Sequence, residues 1–582
     1  MANDRITIAT AAQLIYEGFL KYNKDFSRIS GRAHKRFEQR DWRGHQQDIV
    51  RRVELYEKSV RQNVQALEKL LGPDVRQRLL WNEIRLYFGE RLENVPDAGF
   101  MKTFFNSISR RIFGTIGVDA ELEFVSPAPD EGIKSFEALS LKRYPYWQSI
   151  QRMFNTILTD FAFKIPYKNI TSDCEFIAAE IEYYSQELLK EGDGFLRFEF
   201  IDSYFFQSAR AYLVGRIILK NRISPIVIAF ENTEEGICVD AVLMTPEQVG
   251  MIFSYTRSYY FADPGSVVGA VQFLHSILPH KNIDELYTVM GRLRQGKTER
   301  YRLFTNHLNN TSDQFVHAEG DRGLVMIVFT LPSYNLVFKI IRDHCGYPKT
   351  VTRETVVRKY KLVSKHDLAG RLIDTQEFRN LEFPVDRFAP DLLAELIREA
   401  VQSVYIKGSK LIMDHVYVER RVRPLNLYIR EVARAEAEQA IIDYGQTLKD
   451  LAHTNIFPGD LLLKNFGVTR HRRVVFYDYD EVALVTECNF RELPEPPDGE
   501  ELMNPNTWMY IGEHDIFPEE FIKFMAVDDD LRFKFLEIHG DILTAEYWRN
   551  IKAKQITGTV PLVIPYHQST GNRDQSRQYK SG

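Results

Sequence analysis

Cysteine is scarce: four in 582 residues, at 174, 238, 345 and 488. They are too far apart for a disulfide framework, and no CxxC pair offers a zinc site. No apolar run approaches the roughly 20 residues that would span a bilayer. The opening MANDRITIATAAQLIYEGF lacks the charged-then-apolar pattern of a secretory signal. A reducing cytoplasm is the expected compartment, with no membrane partner. An excess of basic charge is also missing. The 75 Lys and Arg stand against 80 Asp and Glu, a formal net charge of −5, which argues against a general nucleic-acid partner while leaving room for a local basic patch. Aromatic side chains, by contrast, are plentiful, with 39 Phe and 29 Tyr. They suit large cores in a globular chain too long for a single one.

Residues 8–90 read as helices. Leu14, Ile15, Phe19 and Leu20, then Val53, Tyr56, Val60, Val64 and Leu67, recur at helical spacing between charged faces. Residues 97–190 continue in that style, with Pro127, Pro129 and Pro145 marking loops. After residue 195 the period shortens. The runs 213–219, 226–230 and 237–244 predict an antiparallel meander, and helical spacing returns over 247–306. Gln295 to Arg302 and Asn309 to Asp313 are the candidate boundaries. The expected class is α+β. A mostly helical regulatory domain (1–312, meander near 213–244) precedes a two-lobed protein-kinase-like domain (313–567, small lobe 313–420, large lobe 421–567). Residues 568–582 are expected to be a disordered tail.

The segment NIFPGDLLLKNFGVTRHRRVVFYDYD carries the chemistry. Asp460, Asn465 and Asp478 have the spacing by which protein kinases set a catalytic Asp, a Mg²⁺-binding Asn and a Mg²⁺-binding Asp around an ATP γ-phosphate. Leu461 to Leu463 predicts a short buried strand, Gly467 a turn, and Val474 to Tyr477 a strand that delivers Asp478. Lys464 could stabilise charge on the transferring group. Upstream, Ala318, Glu319, Gly320, Asp321, Arg322, Gly323 and Leu324 form a candidate phosphate-covering loop. Glycine there lets backbone N–H groups approach phosphate oxygens, although two glycines equally suit a plain hairpin turn. Lys339 alternates to the face opposite Phe338 and could reach the α- and β-phosphates. Tyr417, Val418 and Glu419 are the candidate adenine edge. The glutamate that should pair with Lys339 is ambiguous, with Glu354 a weak candidate. Asp374, expected after a helix over 355–373, is a candidate for acid/base work on the phosphatase side, or simply a helix C-terminal residue. Asp480, two beyond Asp478, could hold metal or position water.

Three departures set the site apart from an ordinary eukaryotic-type kinase. Pro458-Gly459 replaces the His-Arg before the catalytic Asp, Asp478-Tyr479-Asp480 replaces DFG, and no clear Ala-Pro-Glu follows. The Pro- and acid-rich stretch 493–501 sits where an activation segment would be and is expected to help dock a protein substrate.

The segment through Asp480, together with LVMIVFTLPSYNLVFKIIRD, LIDTQEF, VYVERRVRPLNLYI and RFEQRDW, closely resembles the bacterial isocitrate dehydrogenase kinase/phosphatases over nearly the whole chain. That resemblance implies an enzyme that phosphorylates a serine of NADP-dependent isocitrate dehydrogenase with Mg-ATP, and also dephosphorylates it, ADP serving that direction. The balance would divide isocitrate between the tricarboxylic acid cycle and the glyoxylate bypass. It further implies AMP as an effector, an ATP segment at Ala318 to Leu324 with Lys339, and an active-site aspartate at Asp374. Asp460, Asn465, Asp478 and Asp480 would complete the Mg²⁺-ATP site. A homodimer stays open. The alternatives are a small-molecule phosphotransferase on the same fold and a nucleotide-sensing pseudokinase module. The latter is disfavoured because Lys339, Asp460, Asn465 and Asp478 are all present.

Overall fold

A computed structural model of the chain describes residues 2–93, 95, 97–125, 139–147, 149–188, 194–207, 209–253, 260–366, 370–493, 511–512, 514–557 and 566. The expected tail and most of the 493–501 loop lie outside these residues. Two compact units emerge, one built on Met1–Thr305, which Tyr566 joins, the other on Asn306–Val563.

In the first unit, helices Ala2–Ser30, Trp42–Leu71, Arg78–Glu90 and Ala98–Phe113 bury one shared core. Asp41 starts the second of these by accepting from Gly44 N at 2.9 Å, satisfying one of the free amides of the first turn. The buried stripe of the first helix is Ile8, Ala12, Ile15, Phe19, Tyr22 and Phe26, whereas Leu20 is exposed. Five residues after Ile15, Leu20 falls off the stripe that repeats every three or four. The meander is larger than the sequence suggested. Five antiparallel strands run in chain order, Leu141–Pro145, Phe195–Gln207, Arg210–Leu219, Ile223–Thr233 and Gly236–Leu243. Leu141–Pro145 is a short edge strand whose terminal proline, lacking an N–H, suits the sheet margin. Gln295 to Arg302 is not a linker but the interior of helix Leu293–Asn309. Its polar side chains are buried and bonded, Gln295 to Thr103 at 2.7 Å and Arg300 to Asp284 at 2.8 Å, so hydrophilicity there marked a polar core rather than solvent.

The second unit opens with a five-stranded sheet in the order Val316–His317, Met326–Thr330, Leu336–Ile341, Val416–Arg420, Gln376–Phe378. Helix Arg353–His366 follows the third strand. A second sheet of Leu381–Pro384, Lys410–Met413 and Val404–Lys407, with helix Pro390–Glu399, was not foreseen. Helices Leu425–Glu431, Arg434–His453, Asp529–His539 and Ala545–Thr557 build the larger, helical part. A single buried cluster joins the two parts, from Ile341, Tyr360 and Tyr417 through Tyr444, Phe466 and Tyr479 to Trp548. The fold is α+β, a helical and meander unit followed by a kinase-like one. Among the described residues no helix is long and apolar enough to cross a membrane.

Candidate active site

Strand Leu336–Ile341 is buried along its length. Alternation sends Phe338 against Phe329 and Phe315, and Lys339 to the other face. In the ladder Lys339 lies opposite Tyr417, so Glu419, two residues on, shares its face and is its diagonal neighbour. The lysine ammonium is 2.6 Å from Glu419 Oε1 and donates to the Tyr477 carbonyl at 2.8 Å. Glu419 Oε2 accepts from Thr375 Oγ1 at 2.9 Å. Both charges are almost wholly out of water, at 5% and 3% side-chain exposure, so each needs these partners. Glu354 is exposed on the first turn of its helix. The carboxylate beside Lys339 is therefore Glu419, which the sequence offered as an adenine-edge residue. Tyr417 and Val418 lie inside the ladder, paired to Lys339 and Phe338 on one side and to Glu377 and Gln376 on the other.

The loop Ala318 to Leu324 joins the first two strands. Gly320 has φ +111°, and a Cβ on Gly323 would sit 2.4 Å from the Met326 carbonyl oxygen, so both positions require glycine. The acids of the loop reach cations: Asp321 stands 3.7 Å from Lys464 Nζ, and Glu319 pairs with Arg423.

Gly459 explains the departure from His-Arg. Its φ is +83°, and a Cβ would approach the Glu481 carbonyl oxygen to 2.5 Å, leaving no room for a side chain before Asp460. Asp460 Oδ1 accepts from Leu462 N at 3.0 Å, and the Asn465 amide reaches the Asp460 carbonyl at 3.4 Å. Leu461 and Leu463 are buried, but not in a strand; Leu463–Asn465 is a 3₁₀ turn. Nor does Gly467 turn. It sits in strand Phe466–Val468, which pairs with Val474–Phe476, and the absence of a side chain admits Val422. The Tyr477 N–H donates to the Asn465 carbonyl at 3.1 Å, tying the Asn to the strand end that delivers Asp478. Tyr479 turns into the core and donates to the Ile373 carbonyl at 2.8 Å, while Asp480 lies 3.5 Å from the Lys349 ammonium. Burial, and then the charge of Asp480, push the Asp478 carboxyl well above the usual range, against the pull of Lys339 and Lys349.

Helix Arg353–His366 ends before Asp374, correcting the expected helix over 355–373. Arg371 to Ile373 instead run extended beside Val474–Phe476, with Phe476 N donating to Arg371 O at 2.7 Å and Ile373 N to Phe476 O at 3.2 Å. Buried Arg371 fixes this arrangement through Asp443 (2.8 Å), Asp450 (2.7 Å) and the Val474 carbonyl (3.0 Å). Asp374, buried, accepts from Gln376 at 3.0 Å. It adjoins Thr375, which holds Glu419.

Lys349 escaped the sequence reading. Its ammonium bonds Glu481 and lies 3.5 Å from Asp480 and 4.0 Å from Asp460. Burial alone would lower its pKa, but the Glu481 bond and the charges of Asp480 and Asp460 outweigh that and raise it. CGYPKTVTR has no period or spacing that would single this lysine out. Glu419, by contrast, was legible from period-two alternation once the strand opposite Lys339 was known.

The donors fit a hard divalent cation. Asn465, Asp478 and Asp480 offer oxygen ligands, and a cation would relieve the carboxylate repulsion that raises Asp478. Among the described residues no three His, Cys, Asp or Glu side chains are grouped so that they could hold a metal ion. Mg²⁺ suits such a partial set, because it takes one or two carboxylates and completes its shell with phosphate oxygens and water.

Family models match residues 12–568 of the chain without a gap. The regulatory domain of isocitrate dehydrogenase kinase/phosphatase (AceK) matches residues 12–312, and the kinase domain of the same family matches residues 313–568. The chain belongs to the isocitrate dehydrogenase kinase/phosphatase family. The family member from Anaeromyxobacter sp. (strain Fw109-5) is 42% identical over 571 residues, covering 98% of each chain. That from Xanthomonas euvesicatoria pv. vesicatoria (strain 85-10) is 43% identical over 565 residues, 96% of each. The solved kinase of the Cydia pomonella granulovirus is similar at 12% identity and a TM-score of 0.19, over 47% of this chain and 88% of its own, a likeness too slight to add weight. The departures at Gly459 and at Asp478-Tyr479-Asp480 thus stand in a family kinase domain, built around one buried lysine and a cluster of acids.

Proposed function

We propose that the chain is a bifunctional enzyme that phosphorylates a serine of isocitrate dehydrogenase with ATP and also removes that phosphate. The observation that carries this reading is Lys339, held between Glu419 and the carbonyl preceding Asp478, with Asp460 and Asn465 one hairpin away. In the forward direction Lys339 holds the α- and β-phosphates under the Ala318–Leu324 loop. Adenine pairs with backbone beyond Val418, where the ladder to Gln376–Phe378 ends. Asp460 takes the serine proton as the serine oxygen bonds to Pγ. The bond from Pγ to the β–γ bridging oxygen breaks, and ADP leaves. Bound Mg²⁺, held by Asn465 and Asp478, would neutralise charge on the phosphates. In the phosphatase direction a water oxygen bonds to the phosphoserine phosphorus as its proton passes to Asp480, the bond from phosphorus to the serine oxygen breaks, the serine oxygen takes a proton from Asp460, and inorganic phosphate leaves. Asp480 orients that water and Asp374 assists. The family likeness extends the reading to AMP as an effector, checked by titrating AMP against both activities.

The test is transfer from γ-labelled ATP with Mg²⁺ to purified isocitrate dehydrogenase, with Asp460→Ala beside it. Label on the dehydrogenase with loss of its activity, abolished in the variant, is the expected result. Nucleotide binding without label would favour another substrate. Asp480→Ala should reduce dephosphorylation more than transfer; equal losses would end that division of labour.

A further inference from the structure

Lys349 lies on the connection between strand Leu336–Ile341 and helix Arg353–His366, and this connection is pinned. Gly346 N donates to the Leu324 carbonyl at 2.8 Å, and a Cβ on Gly346 would meet the Leu324 side chain at 2.9 Å. Lys349 N donates to the Gly346 carbonyl at 2.9 Å. The lysine is thereby braced against the end of the phosphate-covering loop. Its side chain is only 18% exposed and faces Asp460 and Asp480, at 20% and 5%.

An ammonium has three N–H donors. One goes to Glu481. The distances to Asp480 and Asp460, 3.5 and 4.0 Å, are those of ion pairs rather than good hydrogen bonds. Two donors therefore face the space between the carboxylate that serves hydroxyl attack and the one that serves water attack. A phosphoryl oxygen entering there would complete them. Lys464, the lysine that sequence spacing suggested for this task, is instead 3.7 Å from Asp321 of the loop.

We propose that Lys349 binds a non-bridging oxygen of the phosphoryl group in flight, in both the kinase and the phosphatase directions. No bond is made or broken at the lysine. It donates hydrogen bonds to charge that builds on phosphorus-bound oxygens, and it keeps Asp460 and Asp480 from repelling the incoming phosphate. Nucleotide affinity stays with Lys339, so Lys349 acts on turnover rather than on ATP binding. This inference rests on the phosphotransfer reading above.

The experiment uses the full-length enzyme with Mg-ATP and isocitrate dehydrogenase, and the phosphorylated dehydrogenase for the reverse reaction. Lys349→Met should lower kcat in both directions by about 100-fold, the usual scale for losing one preorganised donor. KM for ATP and the affinity for ADP should stay within about threefold. Lys349→Arg, which keeps the charge and should preserve the fold, should recover part of the rate. Wild-type rates in Lys349→Met would overturn the proposal. So would a rise in KM for ATP with kcat unchanged, which would make the lysine a nucleotide-binding residue rather than one that acts on turnover. Lys339→Met and Asp460→Ala run beside them: if these stay active, the phosphotransfer reading itself has failed, and if they are dead while Lys349→Met is not, only this inference has.

Discussion

Lys339 and Glu419 show how much a single buried pair constrains. Neither charge is tolerable alone in that position, since removing one partner of a buried pair commonly costs about 3–5 kcal/mol. Glu419→Gln should lower the melting temperature and raise KM for ATP, because the stranded ammonium is no longer aimed. Lys339→Met should also destabilise and should abolish transfer. The double variant should regain much of the stability but none of the activity, a pattern that melting curves and the transfer assay separate directly. Gly459 constrains by its lack of a side chain. Gly459→Ala places a Cβ against the Glu481 backbone at a positive φ, so Asp460 must shift. We expect at least a tenfold fall in kcat in both directions, read by the same assays.

Among the elements, helix Trp42–Leu71 of the first unit carries a pH-sensitive residue. His45 is buried against Phe261, and burial, aided by the Arg52 charge, brings its pKa down from 6.5 to about 4. Between those values the unfolded chain binds a proton that the folded chain refuses, so stability rises with pH across this window. Acidification from 6.5 to 4 should remove roughly 3 kcal/mol, and nothing more from this group below that. Chemical denaturation at several pH values should show the slope, and His45→Gln should flatten it. In the second unit Arg371 fastens helix Arg434–His453 to strand Val474–Phe476. Arg371→Met leaves Asp443 and Asp450 without their shared cation. It should cost several kcal/mol in a melting experiment and loosen both Asp374 and Asp478.

For the whole molecule, the proposed Mg²⁺ ligands Asn465 and Asp478, with Asp480 beside them, predict that ADP and Mg²⁺ stabilise jointly. At about 100 times its dissociation constant, Mg-ADP should add roughly 3 kcal/mol, which calorimetry reads as a higher melting temperature. ADP with a chelator should add much less. The α+β class and the buried helical stripes were legible in the chain itself, and so was the spacing that makes Lys339, Asp460, Asn465 and Asp478 candidates, because periodicity and short-range spacing are local properties. The short edge strand at Leu141–Pro145, the polar interior at Gln295 to Arg302 and the extended run from Arg371 to Asp374 were not. In each case the deciding partners are remote in sequence: Phe195–Gln207, Thr103 with Asp284, and Val474–Phe476. Sequence alone determined the fold class and which residues stand as candidates for phosphate chemistry. Only the tertiary structure decided that Glu419 holds Lys339 and that Lys349 stands between Asp460 and Asp480, because a charge finds its counter-charge in space, through sheet register and loop packing that no single segment contains.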